Sequence, residues 1–265
     1  MNTRHPRPAP KPLIAATITP VVNPLQQGLA LFHAATPDYE RAAGWFRTAA
    51  AAGDAEGMTM LALCQLEGLG VAADAVQARR LLLRAAARGS ANGQFQLGRV
   101  LMTGRGGPMN EGDGLTAYVN AAALGHAEAT FNLAACLFSG VGCLPDRLAA
   151  KALYLRSRTL GCPLRAQGVM VRRRELKAVR TLATRFADPG RLVFLIQERQ
   201  QELALLQAVA RPRQAAAAGA SGGIKPRPLR QAGRLAVGVV AAMAGTLGQY
   251  LRPQSRDAGP TTLTF

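Results

Sequence analysis

Apolar and small residues return along this chain at two spacings, one that builds a helix and one that relates helices to each other. Ala127, Phe131, Ala134 and Phe138 fall three or four residues apart and form one apolar stripe, the mark of an amphipathic helix. The same kinds of residue then return 36 residues on. Leu61, Leu97 and Leu133 keep that register, as do Ala62, Gly98 and Ala134, then Ala78, Gly114 and Ala150, then Ala49, Ala85 and Ala121. Bulky residues follow it at Phe46, Leu82, Tyr118 and Tyr154. A fixed period of this length marks stacked units, each burying its apolar face against its neighbours.

The glycines punctuate the units. Gly53, Gly89, Gly125 and Gly161 share the register, as do Gly68, Gly104 and Gly140, and again Gly70, Gly106 and Gly142. Glycine enters the left-handed region without a Cβ clash, so it suits the position just past a helix's last turn. Gly53, Gly89 and Gly125 follow alanine-rich stretches such as LLLRAAAR and read as such stops. Gly68, Gly104 and Gly140 read as closing the other helix of each unit. The predicted unit is helix, short glycine loop, helix, glycine. Full units run 53–88, 89–124 and 125–160, and a degenerate unit 23–52 precedes them. In that first unit Asn23-Pro24 reads as a cap and a first helical residue, and Thr36-Pro37 as the start of the next helix. Asp74, Asn110 and Asp146 recur as helix caps. The extra glycines Gly107, Gly112 and Gly114 predict a looser second helix in the middle unit. After Gly161 the pattern fails, because Leu176 stands at the loop-glycine register. Residues 163–186 read as one longer, charged closing helix.

The segments GDAEGMTMLALCQLEGLGV, GSANGQFQLGRVLMTGRG and GHAEATFNLAACLFSGVG resemble the Sel-one-like repeat, a branch of the tetratricopeptide-type helical repeats, and DYERAAGWFRTAAAAG resembles the other half of its unit. The resemblance covers about residues 24–162. Thr59 departs from it, where Phe95 and Phe131 supply the aromatic. The resemblance implies a right-handed α/α superhelix whose concave face binds other proteins; it implies no activity. The expected fold is therefore all-α: an α/α solenoid of helix-turn-helix repeats over 23–162, followed by a flexible basic C-terminal tail.

Outside the repeats the chain changes character. Residues 1–22 are Pro-rich and read as disordered. Their apolar run LIAATIT is short, and Pro20 breaks it, so an export signal fits weakly. Residues 163–211 read as basic closing helices. Within 190–211, Leu192, Leu195, Ile196, Leu203, Leu206 and Val209 form a stripe interrupted by Arg199. Such a helix can cover the open end of the solenoid or pair with a second copy. Residues 212–234 read as linker, 235–251 as an apolar helix candidate and 252–265 as a disordered tail. The 17 residues 235–251 carry no charge. As a helix they span about 26 Å, short of a bilayer core of about 30 Å. A membrane anchor, a docked helix and an unstructured stretch all stay open for them.

Charge and candidate chemistry narrow the function. The formal net charge is +17. Residues 1–164 hold 15 Lys+Arg against 10 Asp+Glu, and residues 165–265 hold 17 against 5. The excess is therefore concentrated after the repeats, densest at Arg172, Arg173, Arg174, Lys177 and Arg180. A patch of this kind suits an anionic membrane surface or phosphates. No aromatic side chain interleaves it and no DNA-binding motif accompanies it, which argues against nucleic acid. Arginine outnumbers lysine 28 to 4 amid abundant alanine, which fits a GC-biased, bacterial coding sequence. Four cysteines without paired spacing exclude a disulfide framework. Cys64 and Cys136 share a register and read as core, whereas Cys143 and Cys162 lie near loops as candidate exposed thiols. His126 reads as a structural or capping residue. GRGG at 104–107 lacks a following Lys-Ser/Thr and reads as a repeat loop. The sequence offers no catalytic set, no cofactor motif and no metal site. It predicts a cytoplasmic, non-catalytic scaffold that binds an unidentified protein partner in a groove lined by first-helix side chains such as Gln65, Arg99 and Asn132. A membrane-tethered adaptor anchored by 235–251 and a nucleic-acid-associated factor are the alternatives; export ranks behind both locations.

Overall fold

Every helix of the repeat starts on a side chain that satisfies its first free amides. A computed structural model of the chain describes residues 23–220, with side chains through residue 210. Helix α1 (Pro24–Phe32) opens on Asn23, whose Oδ1 accepts from the Leu25 and Gln26 amides at 3.0 and 3.3 Å. Helices α2 (Tyr39–Ala51), α4 (Ala75–Ala87), α6 (Glu111–Ala123) and α8 (Arg147–Thr159) open on Asp38, Asp74, Asn110 and Asp146. Each cap accepts from the third amide of its helix at 2.9 to 3.1 Å. The start of α2 is thus Asp38, in register with the later caps, and not Thr36-Pro37. Helices α3 (Ala55–Glu67), α5 (Ala91–Thr103) and α7 (Ala127–Ser139) open on Asp54, Ser90 and His126. The extra glycines leave α6 at 13 residues, the length of α4 and α8. Gly114 packs tightly on Met102, so a Cβ there would meet the Met102 Cγ at 2.8 Å.

Consecutive helices pack side by side from α1 to α9, and α3 also touches α5 directly. The array therefore bends toward its odd-numbered helices there. The result is an α/α solenoid with two apolar clusters that meet on α5. Leu97, Val100 and Leu101 belong to the first, and Phe95 and Met102 to the second. Phe46, Leu82 and Tyr118 are fully buried at their shared register. Small partners make room for them: a Cβ on Gly98 would fall 2.6 Å from the Tyr118 ring.

The second glycine of each loop joins one unit to the one before. Gly70, Gly106 and Gly142 have φ of 66°, 74° and 69°. A Cβ on them would lie 2.1, 2.0 and 2.5 Å from the carbonyl oxygens of Tyr39, Ala75 and Glu111. Those are the first residues of α2, α4 and α6. Each loop rests directly on the start of the preceding unit's second helix, a contact closed to any side chain.

The end of the solenoid departs from the sequence expectation. Residues 162–172 carry no helix, so the closing helix expected over 163–186 begins only with a 3₁₀ turn at Arg173–Glu175. Pro163 lacks an amide donor, and Gly168 adopts φ 71°; both oppose a continuous helix. Helix α9 (Leu176–Arg185) then buries Val179 and Leu182, followed by buried Phe186. Helix α10 (Pro189–Ala220) packs on α6 and buries Leu192, Leu195 and Ile196. Its Gln200 side chain takes the Leu144 amide at 2.8 Å and donates to the Leu144 carbonyl at 3.0 Å. The first half of the helix thus covers the last units. Farther along the stripe, Leu206 and Val209 are each 60% exposed. The backbone of α10 stays helical to Ala220, into the segment read as linker from residue 212; alanine is the strongest helix former. Residues 1–22, the rest of the linker, the apolar segment 235–251 and the tail 252–265 lie outside the described residues. Among the described residues there is no strand, and no helix is long and apolar enough to cross a membrane.

Candidate functional site

The odd-numbered helices carry one polar row at matching positions. Glu56, Asn92 and Glu128 share a register, as do Met60, Gln96 and Asn132, and as do Leu63, Arg99 and Ala135. Helical spacing puts these three positions of each helix on one face. The row is bonded between units. Asn92 Nδ2 donates to Glu56 Oε1 at 2.6 Å, and Ser90 Oγ donates to Glu56 Oε2 at 3.3 Å. Within α5, Gln96 Nε2 donates to Asn92 Oδ1 at 3.5 Å, and Arg99 Nη1 donates to Gln96 Oε1 at 2.8 Å. Exposure falls to 1% at Gln96, 4% at Asn132 and 9% at Arg99. Buried Tyr118 lies beneath them: burial raises its hydroxyl above the usual tyrosine range, and neighbouring Asn132 and Arg99 act the other way.

Two of the sequence-predicted groove residues, Arg99 and Asn132, therefore share this face. Gln65 does not join them. It stands at the register of the core residues Leu101 and Leu137, and its Oε1 is buried without a hydrogen-bond partner among the described residues. Residue type alone did not separate these faces; counting back 36 residues from Leu101 would have.

The basic run is divided by the turn at 173–175. The Arg172 amide donates to Glu175 Oε2 at 3.1 Å, and Lys151 Nζ reaches the same oxygen at 2.7 Å. The Lys151 hydrogen bond, helped by the Arg172 amide, holds the Glu175 carboxyl below its usual range. Arg174 and Lys177 line a groove of about 500 Å³ with Leu148, Leu182, Arg185 and Arg199. Arg173 and Arg180 are exposed outside it. A smaller cavity of about 190 Å³ lies under the irregular segment, floored by Phe131 and Tyr154, whose rings meet edge-on at 5.1 Å.

The thiols are poor nucleophiles in this setting. Burial pushes Cys64 and Cys143 up to about 11, and Cys136 higher still. Cys162, read from sequence as an exposed thiol, is buried, and Cys143 is half-buried with its Sγ against the Val141 carbonyl at 3.6 Å. His126 caps α7, its Nδ1 accepting from the Ala129 amide at 3.2 Å, and its ring stacks on Phe95 at 4.5 Å. Gly104–Gly107 form a repeat loop after α5, with no strand before it. Among the described residues, no three of His, Cys, Asp and Glu gather as a metal site would require.

The Sel1 repeat family model matches residues 26–54, 55–90, 91–114 and 127–162. Among solved structures, the chain is similar to a Sel1 repeat protein from Oxalobacter formigenes, at 21% identity over 61% of this chain and 71% of that one, with a TM-score of 0.48. It is also similar to c5321, a protective antigen of uropathogenic Escherichia coli strains displaying an SLR fold. That match has 19% identity over 66% of this chain and 47% of that one, with a TM-score of 0.43. No curated protein matches the chain.

Proposed function

Because the chain belongs, through residues 26–162, to the Sel1 repeat family, whose members are generally protein-interaction scaffolds, we propose that it is a non-catalytic scaffold holding a protein partner along the polar row of α3, α5 and α7. One observation carries the reading. At the positions where the first full unit has Met60 and Leu63, the second has Gln96 and Arg99 and the third Asn132 and Ala135, and the three polar side chains are nearly buried. Burying a polar side chain costs stability that an apolar one would not. The first unit shows that the fold accepts apolar residues there, so the polar choice is explained by recognition. Half-buried Asn92 and Glu128 form the rim through which a partner reaches the row.

A photo-crosslinking amino acid in the full-length chain tests this in the native cell. At position 92 it should trap a defined protein species; at position 84, on the exposed face of α4, it should not. Arg99→Glu should abolish the species trapped from position 92. Equal trapping from both positions, or trapping indifferent to Arg99→Glu, would place recognition elsewhere.

A further inference from the structure

The groove between α8, α9 and α10 is set apart from the polar row, and its chemistry is one-sided. Arg174, Lys177 and Arg185 enter it from the 3₁₀ turn and α9, and Arg199 from α10, while Leu148 and Leu182 give it an apolar floor. No carboxylate among the described residues neutralises Arg174, Lys177 or Arg185. Acidic groups on the elements that build it are already taken, Asp188 among them, which pairs with Arg191 at 3.4 Å. Glu175 is held by Lys151 at 2.7 Å, and Asp146 by Arg199 at 2.6 Å. Glu198 and Glu202 on α10 pair with none of the groove cations. The segment 221–265 carries six Lys+Arg against one Asp, so it supplies no acidic stretch for this groove.

We infer that this groove is a docking site for an acidic, partly apolar segment of a partner protein, bound in extended form. Lys177 and Arg185 are eight residues apart on one helix, about 12 Å along its axis. About four residues of extended chain cover that distance. Alternating side chains of a strand point to opposite faces, so one set can meet the cations while apolar neighbours reach Leu148 and Leu182. Nucleic acid would find phosphate partners but no aromatic platform for its bases among the lining residues. The site rests on groove charge alone and is independent of the polar row.

The test uses the full chain and a fluorescein-labelled peptide of alternating glutamate and leucine, read by fluorescence anisotropy. Lys177→Glu/Arg185→Glu should weaken binding by about tenfold or more. The charge-matched control Arg173→Glu/Arg180→Glu, on exposed positions outside the groove, should change it by no more than about twofold. The milder pair Lys177→Gln/Arg185→Gln should fall between, and circular dichroism establishes that each variant folds. Equal losses in the two reversed pairs, or no peptide binding by the parent, would overturn the site. So would a groove-specific loss as large for an oligothymidylate or for phosphatidylglycerol vesicles as for the peptide.

Discussion

Arg199 Nε reaches Asp146 Oδ2 at 2.6 Å while Asp146 Oδ1 accepts from the Ala149 amide at 3.0 Å. One carboxylate, 4% exposed, both starts α8 and fastens α10 back onto the solenoid. The charged residue that interrupts the apolar stripe of α10 is therefore a tether. Asp74 caps α4 in the same way but, among the described residues, holds no such partner. Asp74→Ala should cost about 1 kcal/mol, the value of a lost cap. Asp146→Ala should cost about 3 kcal/mol or more, because it also strands a partly buried guanidinium. Denaturant melts of the two variants check the difference; equal midpoints would mean that the tether adds nothing.

The unit joints make a second prediction. Gly89 and Gly106 are both left-handed, at φ 79° and 74°. Space is open around Gly89, whereas a Cβ on Gly106 would sit 2.0 Å from the Ala75 carbonyl oxygen. Gly89→Ala should therefore lose about 1–2 kcal/mol, the conformational term alone. Gly106→Ala adds a backbone clash and should lose roughly twice that. Gly89→Val should be worse than Gly89→Ala, since a branched Cβ resists this region further. Thermal melts of the three variants order them; Gly106→Ala melting with Gly89→Ala would show that the loop shifts freely.

These joints also show what the sequence could and could not reveal. The period was legible because each unit reuses its caps and glycines, down to Asp74, Asn110 and Asp146. The reason for Gly70, Gly106 and Gly142 was not, since it lies in a carbonyl of the preceding unit, about 31 residues away in the chain. The helix expected from 163 failed on Pro163 and Gly168, local breakers that the period alone overrides on paper. The return of α10 onto α6 leaves no periodic trace, and Arg199 acquires meaning only beside Asp146. For the polar row, residue type alone did not set the face of Arg99 and Asn132 apart from that of Gln65; only the 36-residue register does. Their depth was not legible either, because burial depends on how closely neighbouring helices approach.

The two recurrent phenylalanines differ in their surroundings. Phe95 is 0% exposed and packs between Tyr118 and His126, at 6.1 and 4.5 Å between ring centres. Phe131 is 9% exposed and borders the cavity beneath residues 163–171. Both truncations to alanine should fall within about 3–5 kcal/mol. Phe95→Ala should lie at the upper end, since its cavity has no solvent edge to relax into. Equilibrium urea unfolding measures both, and a larger loss at Phe131 would contradict this packing.

His126 predicts how stability follows pH. Its Nδ1 caps α7 by accepting from the Ala129 amide, a task that requires the unprotonated nitrogen. Burial lowers its pKa below the ordinary histidine value, and the Glu128 carboxylate, 3.3 Å from Nδ1, pulls only partly the other way. The folded state thus binds a proton less readily than the unfolded chain. Its contribution is complete above the unfolded value of about 6.5 and drains away as pH falls through the lower folded value. His126→Asn keeps a strong capping oxygen and removes the titration. The parent should lose melting temperature between neutral and mildly acidic pH more steeply than His126→Asn, most clearly just below pH 6.5. Parallel curves for the two proteins over that range would show that the cap is indifferent to the proton, and that the stack on Phe95 alone fixes the imidazole.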